Sequence, residues 1–118
     1  MNAKELLDIV VNAADDKRAE DIIALDMEGV SLIADYFVIC HGNSPKQVEA
    51  IAHEVKAKAQ EAEIDVKRLE GTDEARWILI DLNDVIVHVF HKEDRNYYNL
   101  EKLWADAKYV NIDAVLKP

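Results

Sequence analysis

The chain is short of several things. It has one cysteine, three glycines and two prolines in 118 residues, and 14 basic side chains against 24 acidic ones. A lone thiol at Cys40 cannot close an intramolecular disulfide, which fits a reducing compartment. Neither the Gly-x-x-x-x-Gly-Lys-Ser/Thr spacing of a P-loop nor a dinucleotide fingerprint occurs. No apolar run approaches a membrane span. Lys4, Glu5 and Asp8 interrupt the first apolar residues, where a signal peptide needs them unbroken, so the expectation is a cytoplasmic protein. The deficit of basic residues leaves a formal charge of −10. That is the wrong sign for gripping nucleic acid phosphates; it suits a basic protein partner, or serves solubility alone.

What is present is an apolar half, in a chain long enough for one domain (1–118) with a self-sufficient core. Its clearest stretch runs from Arg76 to His91, where two β-branched runs flank Asn83 and Asp84. Asn and Asp best tolerate positive φ among non-glycine residues, so this reads as a β-hairpin. Nearly every residue of both runs is apolar, which predicts strands buried on both faces. Strand alternation puts Trp77, Leu79 and Asp81 on one face and Arg76, Ile78, Ile80 and Leu82 on the other.

Around the hairpin, an amphipathic helix is expected from Ala3 to about Lys17, a strand from Glu20 to Met27 broken by Gly29, and a second strand from Ala34 to Cys40. Ser44 as N-cap and Pro45 at the first helical position then start a helix that runs to about Ala62. Val66 to Leu69 reads as a short strand and Gly71 to Glu74 as a polar loop. After His91 the chain turns polar through Arg95, and Tyr97 to Ala107 reads as a last helix with Leu100, Leu103 and Trp104 inward. The tail from about Lys108, with Tyr109, Val110, Ile112, Val115 and Leu116, is either ordered on the domain or free. This order implies an α/β fold: a mixed five-stranded sheet flanked by helices.

Chemistry finds little support in these residues. Gly42 to Lys46 offers a helix N-terminus to an anion, but a capping serine after a glycine is also what any strand-to-helix connection uses. His41, His53, His88 and His91 lack metal-ligand spacing, and Asp81 and Asp84 straddle a turn, so no metal or cofactor is expected. Cys40 beside His41 or His88 would make a nucleophile, yet a thiol inside Phe-Val-Ile-Cys reads more simply as core. Binding has the better case. If Trp77, Leu79, Asp81 and His88 were all core, a carboxylate would be buried and in need of a partner; a half-exposed face would join an aromatic anchor to negative charge, as suits docking on a basic protein. Trp77 as plain core filler is the competing reading.

Several motifs then fall in one order: Asp35-Tyr36-Phe37-Val38-Ile39-Cys40, Gly42-Asn43-Ser44 with Gln47-Val48, Glu70-Gly71, Trp77, Asp81, Asp84-Val85-Ile86-Val87-His88-Val89-Phe90, Arg95, Tyr97-Tyr98-Asn99-Leu100-Glu101 and Leu103-Trp104. Together they resemble the bacterial ribosomal silencing factor S family, also called Iojap or YbeB, over nearly the whole chain. The resemblance implies a nucleotidyltransferase-like fold without catalysis. It also implies binding to ribosomal protein L-fourteen on the intersubunit face of the large subunit, which blocks small-subunit joining and lowers translation when nutrients are scarce. His41 and Asn83 depart from the usual pattern, a small hydroxyl residue and a glycine respectively; Asn serves the same turn. The expected contact face is Trp77, Leu79, Asp81 and His88 with Glu70, Gly71 and Asp73 on the adjoining loop, and little direct RNA contact. Two other classes stand beside it: a nucleotidyltransferase with Ser44 and Asp81 near a magnesium-bound nucleotide, and a homodimer paired through an apolar face or a sheet edge, which would also be the form held off the ribosome.

Overall fold

In the computed structural model, which describes residues 1–114 and Leu116, the apolar runs become one open sheet with helices against both faces. The elements are α1 (Ala3–Asp16), β1 (Glu20–Asp26), β2 (Tyr36–Gly42), α2 (Pro45–Glu61), β3 (Arg68–Glu70), β4 (Trp77–Asp81), β5 (Val85–His91), α3 (Lys92–Tyr98), α4 (Leu100–Leu103) and β6 (Lys108–Tyr109). The strand order is β3-β4-β5-β2-β1-β6. β2 and β5 lie side by side and parallel at the centre, and every other neighbour is antiparallel. No helix among the described residues is long and apolar enough to cross a membrane.

The local signals act as expected at the strongest positions. Ser44 accepts a hydrogen bond from the Gln47 N–H at 3.1 Å, and Pro45 opens α2. In the hairpin the Leu82 N–H donates to the Val85 carbonyl at 3.0 Å. Only Asn83 of the turn pair enters the left-handed region, at φ +74°. Alternation divides the strands as predicted: Ile78, Ile80, Val38, Cys40, Val85, Val87 and Val89 face α1 and α2. Phe37, Ile39, Ile86 and Phe90 face the opposite side, with Leu100, Ala107 and the partly buried Trp77, Leu79 and Trp104.

Three expectations are corrected. The sheet has six strands rather than five, because Lys108 and Tyr109 pair with Asp26 and Leu25. That pairing orders the start of the tail, and Ile112 is buried; Val115, Lys117 and Pro118 lie outside the described residues. The last helix starts five residues early, since His91 Nδ1 accepts from the Glu93 N–H at 3.2 Å and so caps a helix over residues that look like a polar turn. Asn99, left-handed at φ 48°, then ends α3, and the short α4 that follows leaves Leu103 exposed rather than inward.

Candidate functional site

On the face away from α1 and α2, registered rows cross the sheet. Trp77 lies opposite Phe90, Leu79 opposite His88 and also Glu70, and Asp81 opposite Ile86 and Arg68. The Trp104 ring meets Phe37 edge-on at 5.6 Å further into the sheet. Towards the β3–β4 edge, Trp77 and Leu79 stay only partly buried. The indole is nonetheless fixed. It stacks on Phe90 at 4.9 Å between centroids, tilts against Tyr98 at 4.7 Å, and donates from Nε1 to His88 Nδ1 at 3.1 Å.

That bond assigns His88 its tautomer. Nδ1 is an acceptor, so the neutral ring carries its proton on Nε2, a buried atom with no hydrogen-bond partner among the described residues. Burial pushes the His88 pKa down to about 4, so the ring is neutral near pH 7. At 5% exposure it lies beneath Trp77, where it orients the indole.

Asp81 is buried too, and both its oxygens are engaged. Oδ1 accepts from the Asn83 N–H at 2.9 Å, and Oδ2 faces Arg68 Nε at 3.4 Å. The partner that a buried carboxylate requires is therefore Arg68 on β3, and Asp81 also braces the hairpin turn. Glu70, Gly71 and Asp73 are exposed. Gly71 has φ +84°, and a Cβ there would sit 2.0 Å from the Trp77 carbonyl oxygen, so only glycine lets this loop close against β4. Gly71, Asp73, Glu74, Arg76, Asp94, Trp77 and Tyr98 line a hollow of about 330 Å³. Arg76 is matched there by Asp94, at 2.7 and 3.1 Å. Asp73 and Glu74 make no ion pair among the described residues, so the hollow is acidic.

A polar network that the sequence did not disclose anchors the covering helices. Arg95, 8% exposed, donates to Glu101 at 2.8 Å and to His41 Nδ1 at 2.9 Å, while His41 Nε2 faces Glu20 at 3.2 Å. The Asn43 amide, with His41, holds the Glu20 carboxyl below its usual pKa. Arg95 thereby pins α3, which carries Tyr98, to the ends of β1 and β2. Residues 20, 41, 95 and 101 share no spacing that a linear pattern would flag; Arg95 and Glu101 stand among the motif residues and His41 departs from the usual pattern, but nothing in the sequence joins them.

The remaining chemical candidates separate. Ser44 lies beyond Gly42, which pairs with His91, whereas Asp81 lies beside Ile86, which pairs with Phe37. Five residues of strand, about 17 Å, part those two rows, so Ser44 and Asp81 do not converge. Cys40 is fully buried and its thiol is pushed up to about 12, which removes it as a nucleophile. No group of three or more His, Cys, Asp or Glu among the described residues is placed to hold a metal ion.

The arrangement defines a class: a mixed α/β domain with a small open sheet, one face of which is sealed by two helices and the other only partly covered. The chain belongs to the ribosomal silencing factor family, whose model, described as "Ribosomal silencing factor during starvation", matches residues 1–118. The ribosomal silencing factor RsfS of Bacillus subtilis is 66% identical over 113 residues, which are 96% of each chain. A crystal structure of a Bacillus halodurans protein superposes with a TM-score of 0.83 at 63% identity, covering 92% of this chain and 98% of that one. More distantly, a mouse protein named Mitochondrial assembly of ribosomal large subunit protein 1 is 28% identical over 107 residues, 88% of this chain and 47% of its own length.

Proposed function

We propose that this protein docks on the large ribosomal subunit through its L-fourteen protein and keeps the small subunit from joining, repressing translation when nutrients are limiting, without catalysing a reaction. Trp77 carries the reading. It is a large apolar ring, partly exposed, held by Phe90, Tyr98 and His88, and bordered by Glu70, Asp73 and Glu74. A prepositioned aromatic anchor among carboxylates loses little freedom on binding and suits a basic protein surface. The name of the mouse relative, which speaks of the large ribosomal subunit, supports the choice of subunit. The net charge of −10 leaves RNA a minor role at this face.

The mechanism is steric. The domain measures 32 × 32 × 30 Å, far thicker than the side-chain layer in which two subunits meet, so occupancy alone excludes the other subunit. Within the contact, Trp77, Leu79, Glu70, Gly71 and Asp73 would meet the partner, and Asp81 and His88 would hold the turn and the indole from below.

Sucrose-gradient sedimentation with purified large subunits tests this, before and after small subunits are added. The intact chain travels with large subunits and lowers the joined-ribosome peak. Trp77→Ala weakens that association by about tenfold or more while circular dichroism shows a folded domain. Glu70→Lys with Asp73→Lys weakens it with almost no stability cost, because both positions are exposed. Unchanged association in both variants removes this face from the interface. Self-association is a second reading, favoured by the exposed Leu32 and Ile33 in the β1–β2 connection; light scattering across concentration reads it directly.

A further inference from the structure

On the other side of the Gly71–Ala75 loop, between α2 and the β3–β4 edge, runs a groove of about 510 Å³. Ala50 on the helix side and Leu69 on the strand side are its exposed apolar side chains, and the buried Ala52 and Ile78 lie at its floor. Lys17, Lys46 and Lys56 rim it, with His53 and Thr72 beside them and Glu49 as its one acid. In a chain of formal charge −10 this is an inversion of sign. Lys17, Lys46 and Lys56 make no ion pair among the described residues; neither do Arg18, Lys67, Lys92, Lys102 and Lys108, but none of those lines this groove. Three cations and one carboxylate therefore line the groove, a local excess of positive charge over an apolar floor.

We infer that this groove binds a nucleoside phosphate. Its volume lies within the roughly 300–1,000 Å³ range of small-molecule sites, and it has their character: apolar walls with a few convergent polar groups. A flat base would lie between Ala50 and Leu69, over the floor that Ala52 and Ile78 form. His53 and Thr72 supply hydrogen-bonding groups for a base edge or ribose, and the lysines take the phosphates as point charges. A bare phosphate would leave the apolar walls unused, and an uncharged nucleoside would leave the lysines unused. A polynucleotide needs an extended basic track, whereas these cations close around one slot whose floor is apolar.

Isothermal titration of the full chain with ADP, GDP, CDP and UDP, and separately with adenosine, inorganic diphosphate and a short uridine RNA, tests the assignment. At least one nucleoside diphosphate gives saturable heat, and adenosine and diphosphate each bind about tenfold more weakly or worse. Lys46→Glu with Lys56→Glu lowers nucleotide affinity by about tenfold or more, and Ala50→Phe, which fills the groove from an exposed helix position, does the same at unchanged melting temperature. Three results overturn it: no heat from any of the four up to about 1 mM, affinity unchanged in both variants, or the uridine RNA binding more tightly than every mononucleotide.

Discussion

The two faces of the sheet come from the same strands and differ in composition and in cover. The side under α1 and α2 is aliphatic and continuous; Leu7, Val10, Val11, Val38, Ile51, Val55, Ile80, Val87 and Val89 are all completely buried. The opposite side is aromatic, laced with histidine, arginine and carboxylate, and only partly covered by α3 and α4. Strand alternation lets one stretch serve both purposes: Ile78 and Ile80 seal a core while Trp77 and Leu79 meet the surface. The first face holds the larger apolar cluster; the second buries Leu25, Met27, Ile39 and Phe90 and adds the side chains that position Trp77.

If that division holds, truncation on the aliphatic side has the largest effect on folding. Ile51→Ala costs about 2–5 kcal/mol by urea unfolding, and the fraction that remains folded docks as before. A loss of docking beyond the unfolded fraction would mean that the faces are coupled.

The polar side contributes a pH dependence that the aliphatic side lacks. His88 titrates near 6.5 in the unfolded chain and near 4 when folded, so between those values the unfolded state binds the extra proton. Stability is full above about pH 6.5 and falls on the order of 3 kcal/mol as pH drops to about 4. Comparison of urea midpoints for the intact chain and His88→Phe isolates this contribution. The variant shows a flatter decline across the window, and an identical decline would place the titrating group elsewhere.

Tyr98→Ala makes the smallest change and the sharpest distinction. Loss of one face of the aromatic stack costs about 0.5–1.5 kcal/mol. The Trp77 indole N–H stays protected from exchange by NMR, because its acceptor is His88. Rapid exchange of that proton would make Tyr98, not His88, the group that fixes the anchor.

Much of this contrast was legible in the sequence, because it is carried by short-range pattern. The Arg76–His91 hairpin, its turn at Asn83, the start of α2 at Pro45 and the separation of Trp77 from Ile78 follow from alternation and capping within a few residues. The parts that were not legible depend on distance. β6 is two residues held by main-chain pairing to β1, with no side-chain pattern of its own. His88 sits diagonally across the strand pair from Trp77, within reach of an aromatic ring but visible only once the register is fixed. The Glu20, His41, Arg95 and Glu101 cluster joins four elements through side chains, and Asp81 reads as an available carboxylate until Arg68 is found opposite it.

The sheet ends, on its two sides, in its shortest strands: β3 with three residues and β6 with two. All five residues are exposed, and the β3 edge carries Arg68 and Glu70 around a single leucine. Such edges give a neighbouring copy almost no main-chain ladder to extend, which guards against fibrous growth and precipitation. Blunt edges and ten units of net like charge both disfavour edge-to-edge stacking of copies, and leave the exposed Leu32 and Ile33 as the apolar surface through which two copies would pair.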